Sequence, residues 1–187
     1  NPQSLVVFDI DETDIFHLVN DLKSYNQEIS PVIGDIKDET KMVSVFENFS
    51  PQIVLHSAAY KHVPVLELYP EEAVKTNIFG TKILAELSIT HNVEKFIFIS
   101  TDKAINPSSV MGATKRVGEE FINVLNQKNK TKFISVRFGN VLGSRGSVIP
   151  IFQRQIEKGG PITITHPKMK RYFMSTSEAV LLVLEAS

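Results

Sequence analysis

The chain has 187 residues, of which 42% are hydrophobic and 22% are charged, as expected for one globular domain with a sizeable core. A formal net charge of −1 gives no general attraction to nucleic acid or anionic lipid, so we expect neither as a partner. The chain has no cysteine for a disulfide framework. We find no signal peptide and no 18-residue apolar run, and these absences together favour a cytoplasmic protein.

Short apolar runs alternate along the chain with segments of helical period. The predicted strands lie at residues 4–10, 31–36, 52–59, 95–100 and 132–141, with a short further strand at 162–165. The predicted helices lie at residues 11–25, 38–49, 70–92, 110–127 and 147–158, and a last helix begins at Ser177. Nearly continuous apolar strands that alternate with helices are typical of parallel sheets covered on both faces. We therefore predict an α/β fold with a Rossmann-type, doubly wound parallel sheet.

The carboxyl ends of the predicted strands carry polar or small residues. Ligands of open parallel sheets bind beyond these ends. The rule points to Asp9, to Asp35, to Ser57–Ala59, and to the segments 100–103 and 138–141.

One feature of nucleotide-binding sheets is missing, because no G-x-x-G-x-x-G follows a strand in this sequence. Yet Asp9 ends the first predicted strand, where an acid that binds an adenosine ribose would normally end the second. We therefore expect that the chain as given begins one strand–helix unit late. A domain that never had this unit is the alternative.

Met111 and Lys115 are four residues apart on a predicted helix, so they share one helix face. In one large enzyme class this spacing is Tyr-x-x-x-Lys, and the tyrosine transfers a proton. A thioether takes no proton, so either this site does not perform that chemistry or another residue performs it. Without further context, Met111 would be a core methionine and Lys115 an exposed helix lysine.

Three long stretches resemble a known family. The stretches are "HSAAYKHVPVLELYPEEAVKTNIFGT", "FISTDKAINPSSVMGATKR" and "SVRFGNVLGSRGSVIPIF". They resemble the extended short-chain dehydrogenase/reductases and, more closely, the 4,6-dehydratases that act on UDP-N-acetylglucosamine in surface-polysaccharide and protein-glycosylation pathways. The resemblance runs from about residue 52 to residue 178. It implies an NAD-dependent enzyme with a nucleotide-sugar substrate, in a homo-oligomer. It also divides the chain into an NAD-binding core, residues 1–142, and the start of a substrate-binding portion, residues 143–187.

The cofactor side of the predicted site follows from strand ends and from the resemblance. A carboxylate at Asp9 can accept hydrogen bonds from ribose hydroxyls and disfavours a 2′-phosphate, which favours NAD over NADP. The alternative for Asp9 is a cap of the next helix. The resemblance adds an adenine contact at Asp35 and Ile36 and a nicotinamide-ribose contact at Lys115. The predicted cofactor-binding residues are Asp9, Asp35, Ile36, Ser57, Ala58, Ala59, Lys61, Asn77, Ser100 and Lys115.

The resemblance gives the proton transfers of a dehydratase to the sequence "STDK". Asp102 is the predicted acid, which protonates the departing C6 hydroxyl, and Lys103 is the predicted base at C5. These roles require a protonated Asp102 and a neutral Lys103, which burial in a closed sugar pocket could arrange. The alternative is an ordinary ion pair. Thr101 is expected to bond the C4 oxygen, and the C4 proton passes through Thr101, a water or Lys115. Met111 is expected to line the site without an acid–base role.

The substrate side is predicted from the later motifs. Asn140 matches a position that contacts the sugar or its phosphate, and Arg145 or Ser147 lies near phosphate in the resemblance. Arg171 is expected to bind phosphate through two parallel hydrogen bonds. The five histidines show no metal-ligand spacing, so we expect no metal.

Two other functions stay open. One is a 4-epimerase or reductase on the same scaffold, although such enzymes normally keep the tyrosine that Met111 replaces. The other is a non-catalytic module that binds NAD or a nucleotide sugar. The sequence does not decide whether the nucleotide base is uracil or thymine.

Overall fold

The computed structural model describes residues 2–25, 27–127, 130–144 and 146–187. The strands of these residues are β1 (Ser4–Asp9), β2 (Glu28–Ile33), β3 (Ile53–His56), β4 (Lys95–Thr101), β5 (Lys132–Phe138), β6 (Asn140–Val141) and β7 (Phe173–Met174). The helices are α1 (Glu12–Leu22), α2 (Glu39–Phe49), α3 (Val63–Leu66), α4 (Pro70–Ala73), α5 (Thr81–Thr90), α6 (Val110–Asn126), α7 (Val148–Glu157) and α8 (Thr176–Ala186). A π-helical segment (Val74–Gly80) joins α4 to α5, and a 3-10 turn (Asp102–Ala104) follows β4.

All the strand pairs in the described residues are parallel, which confirms the predicted α/β class. β1 pairs with β2, β4 lies between β3 and β5, and β6 pairs with β7. In the part of the chain that the structure describes, β1 forms no ladder with β3, so these strands make separate sheets where we predicted one. A single core nevertheless unites them, since Phe8 and Val32 pack against the same cluster as Phe96 and Phe98.

The middle strand of the three-stranded sheet is buried on both faces. Phe96, Ile97 and Phe98 of β4 have 0% exposure, as expected for a parallel strand with helices on either side. The continuous apolar run "KFIFIS" is the sequence feature that produces this burial. The residues at the carboxyl end of β4 are therefore attached to a strand that lies in the centre of the core.

Asp and Ser residues fix where the main helices begin. Asp11 caps α1, Asp38 caps α2 and Ser109 caps α6, each through a side-chain oxygen that accepts a backbone N–H of the first turn. Ser175 and Glu178 form a reciprocal capping box at α8. These caps explain why the predicted helix starts agree with the structure to within about two residues.

Three predicted elements need correction. The strand predicted at 31–36 lies at Glu28–Ile33 instead, so Asp35 belongs to the turn after it. The helix predicted at 70–92 is divided by the π-helical segment, which sequence period does not reveal. The strand predicted at 162–165 was wrong, because its β-branched residues find no partner strand and Ile164 is 58% exposed.

The partner of β6 comes from further along the chain. Asn140 N donates to Tyr172 O at 2.8 Å and Leu142 N donates to Met174 O at 2.9 Å, so two short strands close the long connection between them. This pairing joins the two portions into which the sequence was divided, and that division stays a prediction. No helix among the described residues is long and apolar enough to cross a membrane.

Candidate active site

The segment after β4 forms a compact cluster of polar side chains. Lys103 Nζ lies 2.9 Å from Asp102 Oδ1 and 3.2 Å from the amide oxygen of Asn140. Thr101 donates its hydroxyl hydrogen to the same Asp102 oxygen, at 2.9 Å. The 3-10 turn places Asp102 and Lys103 side by side, while β5 and β6 carry Asn140 to them. The structure thus brings together three predicted catalytic residues and one predicted substrate-binding residue.

Asp102 is ionised in this arrangement. Partial burial raises its pKa, but the hydrogen bonds from Lys103 and Thr101 outweigh burial and hold the pKa below its ordinary value. The side chains of Asp102 and Lys103 remain 28% and 32% exposed. The protonated Asp102 that the predicted acid role requires is therefore not the form favoured here.

Met111 and Lys115 lie on the buried face of α6, at 5% and 6% exposure. Met111 packs with Leu66 and Ala73 in a small apolar cluster, so its contacts are those of a core methionine. Lys115 Nζ donates to the carbonyl oxygen of Ile99 at 2.8 Å. Met111 and Lys115 therefore share one helix face as predicted, and the alternative of an exposed lysine is wrong.

Burial makes Lys115 an unusual lysine. Desolvation lowers its pKa to about 8, although the Glu119 carboxylate opposes this shift. Its ammonium lies 4.4 Å from the centre of the Phe98 ring, a cation–π contact that compensates part of the lost hydration. A pKa near neutrality is typical of lysines in functional sites.

Ser100 is the last buried side chain before the Thr101–Lys103 segment. It is 5% exposed, and its hydroxyl makes no hydrogen bond of ordinary geometry. A buried hydroxyl without a partner is costly, so this group is available to a ligand. Ser100 was among the predicted cofactor-binding residues.

Asn77 uses its whole side-chain amide inside the protein. Its oxygen accepts from Tyr60 N at 2.8 Å, and its nitrogen donates to Tyr60 O and to Thr114 Oγ1, each at 3.0 Å. It has 0% exposure within the π-helical segment. Asn77 thus ties the loop after β3 to α6, and its predicted contact with a cofactor would have to compete with these bonds.

The other predicted cofactor residues lie along the carboxyl ends of β1, β2 and β3. Asp9 is exposed and accepts from Asp11 N at 2.9 Å, while Asp35 pairs with Lys37 at 3.3 Å. Ile36 is only 6% exposed and belongs to the main core, which leaves little of its side chain to meet adenine. Of the residues after β3, Ser57, Ala58 and Ala59 are small. Ser57, Ala58 and Lys61 are exposed, and Ala59 is partly buried.

The predicted substrate residues of the C-terminal portion are less gathered. Ser147 stands at the N-cap of α7 with a buried hydroxyl that has no hydrogen-bond partner. Arg171 is exposed and donates to Lys170 O at 2.8 Å. Arg145 lies outside the described residues. Phosphate contacts by Ser147, Arg145 and Arg171 stay predictions.

Sequence reasoning missed two buried polar groups beside the site. Glu119 binds Arg137 through both carboxylate oxygens, and His56 Nε2 lies 2.9 Å from Thr81 Oγ1. Glu119 follows Lys115 by one helical turn, so the helix period could have placed it on the same buried face. Nothing local in the sequence pointed to the His56 pair.

Two negative observations limit the site. In residues 2–25, 27–127, 130–144 and 146–187, no group of three or more His, Cys, Asp or Glu side chains could hold a metal ion. A cleft of about 600 Å³ between α1, α2 and β2 includes none of the predicted site residues. The candidate site is thus the open cluster at the carboxyl ends of the strands.

The parallel α/β architecture, with the Lys115 helix beside Ser100–Lys103 at a strand end, agrees with the extended short-chain dehydrogenase/reductase class that the sequence motifs resemble. The chain belongs to a family of polysaccharide biosynthesis proteins, whose model matches residues 1–187.

Curated relatives agree with this family. The chain is 52% identical to the capsular polysaccharide biosynthesis protein CapD of Staphylococcus aureus over 190 residues, which cover 100% of the chain and 32% of CapD. It is 35% identical to an inverting UDP-N-acetylglucosamine 4,6-dehydratase of Campylobacter jejuni, with 98% of the chain and 55% of the relative covered. The chain therefore spans about a third to a half of these relatives.

Solved structures share the fold. Pen from Bacillus thuringiensis is 40% identical and superposes with a TM-score of 0.92. The superposition covers 100% of this chain and 57% of the Pen chain. The UDP-glucose 4-epimerase of Thermus thermophilus, in complex with NAD, is 25% identical and superposes with a TM-score of 0.79. This superposition covers 97% of this chain and 74% of the epimerase chain. These similarities confirm the Rossmann-type fold and the predicted superfamily.

Proposed function

We propose that the protein catalyses the NAD-dependent 4,6-dehydration of a nucleotide-activated N-acetylhexosamine, UDP-N-acetylglucosamine foremost, for surface-polysaccharide or glycoprotein glycan synthesis. The observation that carries the proposal is the hydrogen-bonded group of Thr101, Asp102, Lys103 and Asn140, with Met111 in the place of a proton-transferring tyrosine. An adjacent acid and amine are suited to an elimination, which needs a proton donor and a proton acceptor at once.

The strand ends fit a dinucleotide cofactor. The unpartnered hydroxyl of Ser100, the exposed carboxylate of Asp9 and the small residues Ser57 and Ala58 offer polar groups and close backbone approach at the carboxyl ends of β4, β1 and β3. These residues, with Lys115, would hold NAD. When bound, NAD supplies the acceptor of the C4 hydride and the donor of the hydride at C6.

The ion pair of Asp102 and Lys103 can supply both proton transfers. Moving one proton from Lys103 Nζ to Asp102 Oδ1, across 2.9 Å, converts the ion pair to a neutral acid and a neutral amine. A bound sugar that excludes water favours this neutral pair, because both charges lose hydration.

The elimination then restores the starting state. Lys103 takes the C5 proton while Asp102 gives its proton to the departing C6 hydroxyl, which leaves as water. Lys103 is again an ammonium and Asp102 again a carboxylate, and the sugar has gained a C5–C6 double bond. Asn140 Oδ1 accepts from Lys103 and so orients its amine. The C4 hydroxyl proton passes through Thr101, a water or Lys115.

Incubation of the purified protein with UDP-N-acetylglucosamine and NAD tests this proposal. We expect a product lighter than the substrate by one water, made over many turnovers on one tightly held NAD. In deuterium oxide, the product should carry deuterium at C5. An unchanged product mass with inverted C4 would identify an epimerase, stoichiometric NADH release would identify a dehydrogenase, and binding without turnover would identify a non-catalytic module.

We also propose that the protein assembles as a homo-oligomer, as the resemblance implies. Light scattering of the purified protein measures its mass, and a monomer at working concentration would contradict this proposal.

A further inference from the structure

A buried carboxylate, Glu119, lies on α6 next to the candidate site, and two partly exposed arginines bind it. Glu119 is 5% exposed, and Arg137 of β5 binds both of its oxygens, at 2.8 Å from Nε and 2.6 Å from Nη2. Arg116 adds a longer contact of 3.6 Å. Paired bonds of this kind fix the relative orientation of two side chains, so α6 and β5 are fixed to each other at this point.

Ser100 joins the same group from β4. It lies directly opposite Arg137 in the parallel register of β4 and β5, so both side chains point to the face that α6 covers. Although burial raises the pKa of Glu119, the hydrogen bonds and the charge of Arg137 bring it below its ordinary value. Glu119 is therefore a carboxylate that faces two neighbouring strands.

Each of the three elements that meet at Glu119 carries part of the candidate site. β4 leads into Thr101–Lys103, β5 leads to Asn140, and α6 carries Lys115 one turn before Glu119. The Arg137 side chain is 38% exposed, so solvent screens its attraction to Glu119 and the pair contributes little net stability. Geometric fixation is a better explanation for its presence in this position.

We propose that Glu119 is a positioning residue, which fixes the Lys115 turn of α6 against β5 through its paired bonds with Arg137, and thereby against the end of β4 that pairs with β5. The inference deepens the proposed function and rests on it for its catalytic meaning. Its geometric part concerns only Glu119, Arg137 and Lys115.

The charges that face Lys115 make the inference measurable. Glu119 on its own helix raises the Lys115 pKa, while burial lowers it to about 8. His56 on β3 also interacts with Lys115, but burial lowers the His56 pKa to about 3, so His56 is neutral near pH 8. Removal of the Glu119 charge should therefore lower the Lys115 pKa, because burial is then less opposed.

The test compares Glu119→Gln with Glu120→Gln, a matched change at the exposed neighbour, which binds Arg116. The titration of Lys115 is followed by NMR of its side-chain nitrogen, assigned with Lys115→Arg. We expect the midpoint to fall by about one pH unit in Glu119→Gln and to stay in place in Glu120→Gln. Hydrogen exchange of the amides at 99–104 should become several-fold faster in Glu119→Gln alone.

An unchanged Lys115 midpoint together with unchanged exchange in folded Glu119→Gln overturns the proposal, and so do equal effects of Glu120→Gln. If Glu119→Gln fails to fold, Arg137→Lys replaces it, since lysine keeps the charge but loses the paired bonds. Faster exchange at 99–104 in Arg137→Lys supports the proposal, and unchanged exchange overturns it. Neither measurement needs a substrate. If the protein shows these effects but does not form the dehydrated sugar, the proposed function is refuted and the positioning role remains intact.

Discussion

At the scale of single residues, the proposed chemistry depends on the ion pair between Asp102 and Lys103. Their 2.9 Å contact lets one proton move between them without solvent. The same contact keeps Asp102 ionised before the sugar arrives. In the proposed mechanism the pair therefore transfers protons only when a substrate covers it and excludes water.

Substitution of either member tests the division of roles. Asp102→Asn and Lys103→Met should each reduce turnover by about 10²–10⁴-fold, the usual contribution of a general acid or base. Cofactor affinity should change little, because neither residue is among the proposed NAD contacts. Product formation and C5 deuterium incorporation are the measurements.

Met111→Ala is the matched control within the site. It should cost about 2–5 kcal/mol of unfolding free energy, because Met111 is buried against Leu66 and Ala73, but should affect turnover far less than Lys103→Met. Near-normal turnover of Asp102→Asn, with Met111→Ala as damaging as Lys103→Met, would refute these roles.

At the scale of elements, α6 approaches the 3-10 turn closely at Gly112. An added Cβ at Gly112 would lie 2.5 Å from the backbone oxygen of Lys103, a distance that only movement of the backbone can relieve. Gly112 therefore lets the first turn of α6 touch the segment that carries Asp102 and Lys103.

Gly112→Ala should push α6 and the 3-10 turn apart. We expect a loss of about 1–3 kcal/mol in unfolding free energy, as in overpacked cores, and a clear loss of turnover. Ala113→Ser, at the exposed neighbouring position, should leave both nearly unchanged. Chemical denaturation and product assays distinguish the two variants, and a stable, fully active Gly112→Ala would show that the contact is dispensable.

At the scale of the whole molecule, the core contains a histidine that stays neutral down to about pH 3. Thr81 donates its hydroxyl hydrogen to Asn77 O at 2.8 Å, so the Thr81 oxygen must accept from His56 Nε2–H. Burial, and then the charge of Lys115, lowers the His56 pKa from 6.5 to about 3. Folding therefore excludes a proton that the unfolded chain binds below pH 6.5.

This linkage predicts how stability depends on pH. Between about pH 6.5 and 3 the unfolded state holds one more proton at His56, so stability falls as the pH falls. Replacement by glutamine in His56→Gln should reduce this slope by about 1.4 kcal/mol per pH unit well inside the window. The exposed His17→Gln is the control. Denaturant titrations at several pH values measure the slope, and equal slopes in wild type and His56→Gln would contradict the lowered pKa of the buried His56.

Much of the fold followed from the sequence, because apolar runs and helix caps are local signals. The run "KFIFIS" predicted β4, and Asp11, Asp38 and Ser109 are N-cap residues of types that sequence alone associates with helix starts. The π-helical segment was not predictable, since it depends on Asn77 reaching Tyr60 and Thr114, which are distant in the chain. The failed strand at 162–165 shows the same limit, because a strand needs a partner edge.

The candidate site was predicted unevenly for a related reason. Thr101, Asp102 and Lys103 are adjacent in sequence, so their proximity needed no knowledge of the fold. Lys115 was placed by helix period, but its bond to Ile99 O and its lowered pKa come from burial against β4. Glu119 and Arg137 were missed because their bond joins a helix to a strand.

The pairing of β6 with β7 has a consequence for how such proteins diverge. Both ends of the segment 142–172 are held together by those two short strands, at Asn140 on one side and Phe173 on the other. A loop closed in this way can vary in length and composition, because the entropy of closing a loop changes only slowly with its length. The segment can therefore differ between relatives in length and sequence, while the residues at the end of β4 keep their positions.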